Sequence, residues 1–339
     1  MKNITRIVLL GFVVVIGILL FQAQDFNSYR FNDNDPLLDK PTREAYSHFH
    51  AMHNENEEDL VISDASGFDN HDIGIDFAEQ WAGSNPLNPI QLFSSANASP
   101  QNARNSMDGG LTWTLVNPGY PGGTCCDPWG AYLANGKLVY GSGVSGQYVY
   151  TSTNNGNTWT SPVLSVNGND RNTLAAEQTG TGPYANYVYA AITPGNFARS
   201  TDQALSWTTT YASSNTVPGT MIAVGANGST NGGCVIYVTN TGSTQAWNYT
   251  FHRSTDGGAT FTVVSALNVA GYVGTLNSAG RLVINNARTR PYPMIAMDNS
   301  NGPYRGRLYL VYASNVPSGN GNKPDIILQY SSDQGVNWS

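Results

Sequence analysis

Short apolar runs that alternate with polar and turn residues dominate the chain from residue 81 onwards. The run TMIAVGANGSTNGGCVIYVTN from Thr220 joins an apolar segment, a Gly/Asn turn and a segment rich in Val and Tyr. The run PWGAYLANGKLVYG from Pro128 has the same layout. Paired runs of this kind predict β-hairpins. The sequence therefore predicts an all-β fold for residues 81–339.

The hairpin pattern recurs, because TLAAEQTGTGPYANYVYAAI from Thr173 aligns with MIAMDNSNGPYRGRLYLVYA from Met294. The composition agrees with many short strands joined by tight turns, since the chain has 36 Gly, 19 Tyr and 7 Trp but only 12% charged residues. Each repeating unit is expected to contain an inner strand, a second strand, a third strand that ends at a turn, and a fourth strand.

That turn belongs to a second repeat, which fits the pattern Ser-x-Asp-x-Gly-x-Thr-Trp in five places. Asn154 replaces the Asp of the second copy, Ala204 replaces the Gly of the third, and Phe261 replaces the Trp of the fourth. The pattern residues are Ser106, Asp108, Gly110 and Trp113; Ser152, Asn154, Gly156 and Trp159; Ser200, Asp202 and Trp207; Ser254, Asp256, Gly258 and Phe261; and Ser331, Asp333, Gly335 and Trp338.

Each copy has the residues of a tight turn between two strands. The Asp or Asn side chain can accept hydrogen bonds from backbone N–H groups of its own turn, and the Gly supplies a positive φ. The aromatic residue is expected to begin the next strand and to pack against the sheet. These residues are therefore predicted to be structural.

The five segments resemble Asp boxes, also called bacterial neuraminidase repeats, which occur in sialidases and in other β-propellers. The resemblance covers about residues 81–339. Units of roughly 50 residues with four antiparallel strands each are typical of propeller blades. The sequence predicts about five blades, and the resemblance to sialidases implies six. Because Ser339 leaves no room for a fourth strand in the fifth unit, we expect the protein to continue beyond it.

The N-terminal 80 residues differ from the repeats. Residues 1–24 have the layout of a secretory signal peptide, with Lys2 and Arg6 before an apolar run from Ile7 to Phe21. We predict a secreted or cell-surface protein, in contact with a membrane only if this segment is not cleaved. Residues 25–80 form an acidic extension that holds more than half of the 23 acidic residues.

The remaining composition narrows the chemistry. No cluster of Lys and Arg indicates nucleic-acid binding, and no spacing of His or Cys indicates a metal site. We therefore predict no nucleic-acid partner, no bound metal and no cofactor. The chain has three cysteines, Cys125, Cys126 and Cys234. Export would permit one disulfide from Cys234 to either of the other two.

The predicted topology sorts the remaining charged residues by face. Turns between the first and second strands share one face with the repeat turns, and they carry Glu177 and Asp298. The candidate catalytic acids Asp127 and Asp170 come just before inner strands, on the opposite face, and Asp325 begins the strand that leads to the fifth repeat. Glycoside hydrolysis usually needs a positioned carboxylic acid with a nucleophile or base, and Asp127 and Asp170 are the candidates for the acid/base.

Arginines accompany these acids, and Arg171, Arg288 and Arg290 are predicted with Asp325 to bind ligand. Arginine can hold a carboxylate by a bidentate pair, which suits the sialic acid that the resemblance implies. Alternatively, Asp170 and Arg171 pair with each other at a blade junction, and Asp127 caps the turn before Pro128.

Three functions follow for the predicted propeller. The first is binding of a carbohydrate or a surface protein at the face opposite the repeat turns. The second is an exo-acting sialidase-type hydrolase, although the chain lacks the Arg-Ile-Pro segment usual in those enzymes and no Tyr–Glu pair can be assigned. The third is a non-catalytic cell-surface scaffold.

Overall fold

A computed structural model describes most of the repeat region. The described residues are 61–63, 69–71, 80–97, 102–119, 127–143, 145–217, 219–242, 247–269, 275–276, 278, 282–284, 287–288, 292–316 and 325–339. The larger of two compact units comprises Glu58–Ile284 and Arg288–Ser339 and contains the blades. Of the smaller unit, Met1–Glu57 with Asn285–Ala287, only Ala287 is described.

The predicted signal peptide, residues 1–24, lies outside the described residues, as does most of the predicted extension, residues 25–80. In the part of the chain that is described, no helix is long and apolar enough to cross a membrane.

All regular elements of the described residues are β-strands, paired in antiparallel fashion wherever a register is resolved. Their bounds are β1 Val61–Ser63, β2 Asp69–His71, β3 Trp81–Asn85, β4 Asn88–Ala96, β5 Asn102–Ser106, β6 Thr114–Leu115, β7 Trp129–Tyr132, β8 Leu138–Ser142, β9 Gln147–Ser152, β10 Val163–Val166, β11 Asn169–Ala176, β12 Val188–Thr193, β13 Asn196–Ser200, β14 Thr208–Ala212, β15 Met221–Asn227, β16 Thr230–Asn240, β17 Trp247–Ser254, β18 Thr262–Val269, β19 Thr275–Leu276, β20 Leu282–Ile284, β21 Ala287–Arg288, β22 Met294–Met297, β23 Leu308–Ser314 and β24 Asp325–Ser331.

The strands form a five-bladed β-propeller, as the sequence predicts. Blades 1 to 4 are the four-stranded sheets β3–β6, β7–β10, β11–β14 and β15–β18, and blade 5 is the three-stranded sheet β22–β24. Within each blade the strands lie side by side in chain order. The inner strands β3, β7, β11, β15 and β22 are neighbours from one blade to the next. They therefore form the inner wall of the propeller.

The hydrophobic core lies between the blades because each strand alternates its side chains between two neighbours. On β12, Val188, Ala190 and Ile192 pack with blade 2, whereas Tyr189 and Ala191 pack with blade 4. All five side chains are fully buried. A strand whose side chains are apolar on both faces is thus covered by a neighbouring blade on each side. A strand of an open sheet that faces solvent on one side would instead alternate apolar and polar residues.

The five repeat turns share one hydrogen-bond arrangement, and blade 4 shows it fully. Asp256 accepts bonds from the Ser254 hydroxyl, from the backbone N–H groups of Ala259 and Thr260, and from the Thr260 hydroxyl, at 2.6–3.0 Å. The Ser254 hydroxyl in turn accepts the N–H of Gly258 at 2.8 Å. The predicted role of the Asp in holding its own turn is confirmed.

Bonding of this kind favours the ionised carboxylate. The side chain and backbone of Thr112 lower the pKa of Asp108 to about 2, with a further bond from Ser106. At Asp333, burial raises the pKa, but bonds from Asn337, Ser331 and Val336 outweigh it and lower the value to about 2. The second copy has Asn154, whose amide oxygen accepts the corresponding N–H of Thr158 at 2.9 Å.

The glycine of each repeat adopts the predicted positive φ, from 76° at Gly258 to 97° at Gly110. Ala204 takes the same conformation at 69°. Two of the aromatic residues illustrate packing on the preceding blade: Trp159 lies against Phe93, and Trp338 lies 4.5 Å from Phe251 between ring centroids. The repeat turns therefore join one blade to the next as well as closing their own strands.

Two buried titratable groups lie in the core around blade 4. His252 sits between the Tyr211 hydroxyl and the Thr239 hydroxyl, each 3.0 Å from a ring nitrogen, and burial lowers its pKa to about 4. Cys234 is a buried free thiol, and burial raises its pKa to about 12. Its two possible disulfide partners, Cys125 and Cys126, lie outside the described residues.

Candidate functional site

Hydrogen bonds between neighbouring blades confirm how the connections divide between two faces. The amide of Asn135, in the turn between β7 and β8, donates to Gln203 in the repeat turn of blade 3 at 3.0 Å. Gln334, in the repeat turn of blade 5, donates to the carbonyl of Ala226 at the end of β15 at 3.1 Å. First-to-second-strand turns and repeat turns therefore share one face, which we call the repeat face.

The other two carboxylates of the repeat face are also engaged by their own turns. Glu177 is fully buried and accepts the N–H of Thr179 at 2.8 Å, and Asp298 accepts the N–H of Ser300 at 2.7 Å. The Ser300 bond lowers the pKa of Asp298. The equivalence predicted for Glu177 and Asp298 is thus confirmed, and both act as turn residues.

The opposite face is where the inner strands begin, and four equivalent positions meet there. Arg171 stands two residues before Thr173, which aligns with Met294. Asp127, Gly219 and Tyr292 likewise stand two residues before Trp129, Met221 and Met294, where β7, β15 and β22 begin. Blades 2 to 5 therefore each contribute one residue to the start of the inner wall: Asp127, Arg171, Gly219 and Tyr292.

An irregularity in β11 determines how Arg171 is presented. Asn169 pairs with Thr193 and Asn172 pairs with Ile192, so Asp170 and Arg171 are two extra residues without partners on β12. Such a bulge bends the strand and redirects the inserted side chains. The structure thus places Asp170 and Arg171 together on a protrusion at the opposite face.

Two aromatic rings flank the Arg171 guanidinium. Its central carbon lies 4.4 Å from the ring centroid of Tyr292 in blade 5 and 5.7 Å from that of Trp129 in blade 2. Both distances are within the range of cation–π attraction. All three side chains are half-buried, so each keeps a solvent-facing part. We call Trp129, Arg171 and Tyr292 the arginine–aromatic cluster.

Among the described residues, no carboxylate lies within ion-pairing distance of Arg171, and none of its N–H groups has a hydrogen-bond acceptor. The alternative in which Asp170 and Arg171 pair with each other is therefore wrong for this structure. Asp170 is exposed and adjacent in sequence, yet it does not satisfy the guanidinium. The described part of the cluster thus presents unused donors held between two rings.

Gly219 makes the reach of Tyr292 possible. A Cβ atom at position 219 would lie 2.0 Å from Cδ1 of Tyr292, and the φ of Gly219 is 127°. Both the close approach and the backbone conformation exclude a larger residue without a shift. Blade 4 therefore contributes space rather than a side chain, and Tyr292 of blade 5 uses that space to meet Arg171 of blade 3.

Asp127 is buried, with 6% of its surface exposed and a positive φ of 50°. Its backbone carbonyl accepts the side-chain amide of Asn172 at 2.7 Å, which ties the residue before β7 to β11. The structure thus brings Asp127 to the strand that carries Asp170 and Arg171. The roles of Asp127 and Asp170 as catalytic acid and base remain predictions.

The other predicted ligand-binding residues have no described contact with the arginine–aromatic cluster. Asp325 begins β24, opposite Ser314 of β23, and lies two strands outward from β22, about 10 Å at usual strand spacing. Arg288 ends the two-residue strand β21, and its side chain is not described. Arg290 lies outside the described residues. Of the predicted ligand-binding residues, Arg171 alone has described side-chain contacts in the cluster.

Sequence reasoning missed Trp129 and Tyr292 as site residues. The signal was present, because each directly follows a proline, Pro128 and Pro291, at or just before the start of an inner strand. Aromatic residues at strand positions are mostly packing residues, so only the convergence of three blades distinguishes these two. In the described ranges, no group of three or more His, Cys, Asp and Glu could hold a metal ion.

The fold and the site define the chain as an all-β propeller with an arginine–aromatic cluster on the face opposite its repeat turns. No family model matches the chain, and no curated protein matches it either. Solved structures do match the chain, and at their low sequence identity the similarity concerns the fold alone.

Three solved propellers are similar in fold. The Hadza microbial sialidase Hz136 is 15% identical over 77% of this chain and 57% of its own, with a TM-score of 0.46. The BP39L lectin from Burkholderia pseudomallei is 14% identical over 77% and 68%, with a TM-score of 0.47. The GH74 enzyme from Niastella koreensis is 18% identical over 76% and 30%, with a TM-score of 0.43. The chain thus spans about a third of the GH74 enzyme and somewhat over half of the sialidase.

Proposed function

We propose that this protein binds carbohydrate at the face opposite its repeat turns, and that the bound sugar carries a carboxylate. The observation that supports the proposal is the arginine–aromatic cluster: within the described residues, the Arg171 guanidinium has no acceptor for its donors and is held between Trp129 and Tyr292. A guanidinium that is oriented before binding loses less conformational entropy when it meets an anion.

The chemistry of the cluster fits both parts of such a ligand. The planar fork of an arginine matches the two oxygens of a carboxylate, and such charge-assisted bonds are stronger than neutral ones. Tyr and Trp rings offer apolar faces with a polar edge, which suits the mixed surface of a sugar ring. Trp129 and Tyr292 thus supply the stacking surface, and Arg171 supplies the charge.

A glycan array tests the proposal directly. The protein is applied to arrayed glycans that include sialylated, hexuronate-containing and neutral members, and retained protein is quantified by fluorescence. We expect retention on carboxylated glycans and loss of that retention with Arg171→Ala. Equal retention on neutral and carboxylated glycans, or none on any carboxylated glycan, would contradict the proposal.

Hydrolysis of the bound glycan is a second candidate, and the position of Asp127 and Asp170 favours it. The backbone carbonyl of the buried Asp127 accepts the side-chain amide of Asn172, so Asp127 lies beside the strand that carries Asp170 and Arg171. We expect a hydrolase to release sugar from the glycans retained on the array, and Asp127→Asn to abolish release while retention persists. Retention without release in the unsubstituted protein would leave binding as the function.

The predicted signal peptide, residues 1–24, suits a protein that meets glycans outside the cytoplasm. Export is part of the proposal, and secretion of the full chain from its host cell, assayed in the culture medium or on the cell surface, tests it. Protein found in the cytoplasm alone would contradict this part.

A further inference from the structure

We infer that the binding site continues outward from the arginine–aromatic cluster as a groove between blades 2 and 3, so that the ligand is an oligosaccharide of at least two sugars rather than a single terminal sugar. This inference rests on the proposed function. It adds the length of the ligand and the direction in which it lies.

The groove is an open depression of about 360 Å³ lined by Ser145, Gly168, Asn169 and Pro194. Ser145 lies between β8 and β9 in blade 2, and Pro194 lies between β12 and β13 in blade 3. Gly168 and Asn169 lead into β11. All four therefore belong to the connections of the opposite face, and the groove lies where blades 2 and 3 meet.

The groove adjoins the cluster through the chain itself. Asn169 lines the groove, and Arg171 follows two residues later on the same strand, so their Cα atoms are at most about 7 Å apart. Ser145 and Pro194 lie at second-to-third-strand turns, about 5–10 Å farther from the inner wall at usual strand spacing. A chain-like ligand anchored at Arg171 is thus directed outward along the junction of the two blades.

The lining suits sugar hydroxyls. The Ser145 hydroxyl and the Asn169 amide can each donate and accept, and both residues are exposed. None of the four described lining residues is charged, so their side chains offer an anion no second cation. Gly168 packs closely against β12, since a Cβ there would lie 2.3 Å from the Thr193 carbonyl oxygen and 2.4 Å from the Ile192 side chain. We therefore assign the carboxylate to the sugar that lies at Arg171. The next sugar of the ligand makes only neutral contacts, with the residues that line the groove.

A ladder of ligand lengths tests the inference. Isothermal titration calorimetry is performed with two series of ligands, one built on a hexuronate and one on sialic acid. Each series runs from the acidic sugar alone to chains of two, three and four sugars that contain it. We expect affinity to rise roughly tenfold from one sugar to two or three, as one or two added hydrogen bonds would give, and then to level off. Ser145→Trp, which fills the groove, is expected to abolish the gain while the affinity for one sugar stays unchanged.

Two further variants keep the test informative. Asn169→Ala removes a polar contact without filling the groove and is expected to reduce the gain in part. Ser332→Trp places the same bulk at an exposed position of the repeat face and is expected to leave every affinity unchanged. It controls for the effect of an added tryptophan.

The outcomes separate this inference from the proposed function. Equal affinity at all lengths, with dependence on Arg171, would overturn the groove and retain carboxylate binding at the cluster. A length-dependent gain that survives both Ser145→Trp and Asn169→Ala would also overturn it. Absence of binding at every length would instead contradict the proposed function on which the inference rests.

Discussion

Asp256 and Arg171 lie at opposite ends of neighbouring blades, and their side chains are satisfied in different ways. Asp256 accepts four hydrogen bonds, all from its own repeat turn. Arg171 donates none to any described residue and is held by two rings from other blades. The carboxylate at the repeat face thus stabilises its own turn. The guanidinium at the opposite face is held in place by two rings, and its donors make no hydrogen bond to any described residue.

The same contrast appears in how glycine is used at the two faces. At the repeat face, Gly109 has a φ of 80° and a Cβ there would meet nothing within 4 Å. At the opposite face, Gly219 has a φ of 127° and a Cβ would meet the Tyr292 ring at 2.0 Å. Gly109 thus permits the conformation of a turn, whereas Gly219 permits a close contact between blades.

The largest effect is expected from Gly219→Ala. The added methyl group strains the backbone and displaces Tyr292, so we expect a loss of about 3 kcal/mol in the free energy of unfolding together with weakened glycan binding. The matched variant Gly109→Ala carries only the backbone strain and should cost about 1 kcal/mol without affecting binding. Urea denaturation and calorimetry measure both. Equal losses for the two variants would refute the role given to Tyr292.

The next largest effect is expected from Asp256→Ala. It leaves two backbone N–H groups and two hydroxyls of the turn without their acceptor, so the free energy of unfolding should fall by about 2 kcal/mol. Glycan affinity should stay unchanged, because the turn lies at the repeat face. Thr260→Val removes one of these bonds and should have a smaller effect on urea denaturation. A loss of affinity without a loss of stability would contradict the division between the faces.

A smaller effect is expected from Asp170→Asn. Asp170 is exposed and precedes Arg171, so its charge opposes a bound carboxylate across solvent. Removing the charge should raise affinity by about twofold at low ionic strength and by less in high salt, since exposed charges are screened. Stability should not change. An affinity that falls would instead indicate direct contact between Asp170 and the ligand.

The smallest effect is expected from pH at the repeat turns. The pKa of Asp108 and Asp333 is lowered from 3.8 to about 2, so their contribution to stability is complete above about pH 4 and is lost as pH falls towards 2. Asn154 does not titrate. The melting temperature of Asn154→Asp should therefore fall more steeply between pH 4 and pH 2 than that of the unsubstituted protein, and parallel curves would refute this assignment.

The fold was predictable from the sequence because each repeat turn is stabilised by hydrogen bonds between residues of one short segment. The Ser254–Asp256–Gly258 arrangement depends on residues within one short segment, so a local pattern suffices to predict it. Alternating apolar residues likewise predict the hairpins, since each strand needs apolar neighbours on both faces.

The site was predictable only in part, because it depends on contacts between distant segments. Arg171 was identifiable as a cation at the correct face. Its partners Trp129 and Tyr292 come from two other blades, and their approach depends on a bulge in β11 and on the absence of a side chain at Gly219. None of these features follows from a pattern within one blade.

The most direct measurement compares Arg171→Ala with Arg305→Ala. Arg305 also carries one positive charge, but it lies at the repeat face and bonds to Ser300 and Asn231. Titration calorimetry with the best carboxylated glycan, and melting temperatures for both variants, distinguish the two positions. We predict a loss of affinity of roughly 100-fold for Arg171→Ala with little change in melting temperature, and unchanged affinity for Arg305→Ala. Equal affinity for Arg171→Ala and the unsubstituted protein would contradict the central claim that the arginine–aromatic cluster is the ligand site.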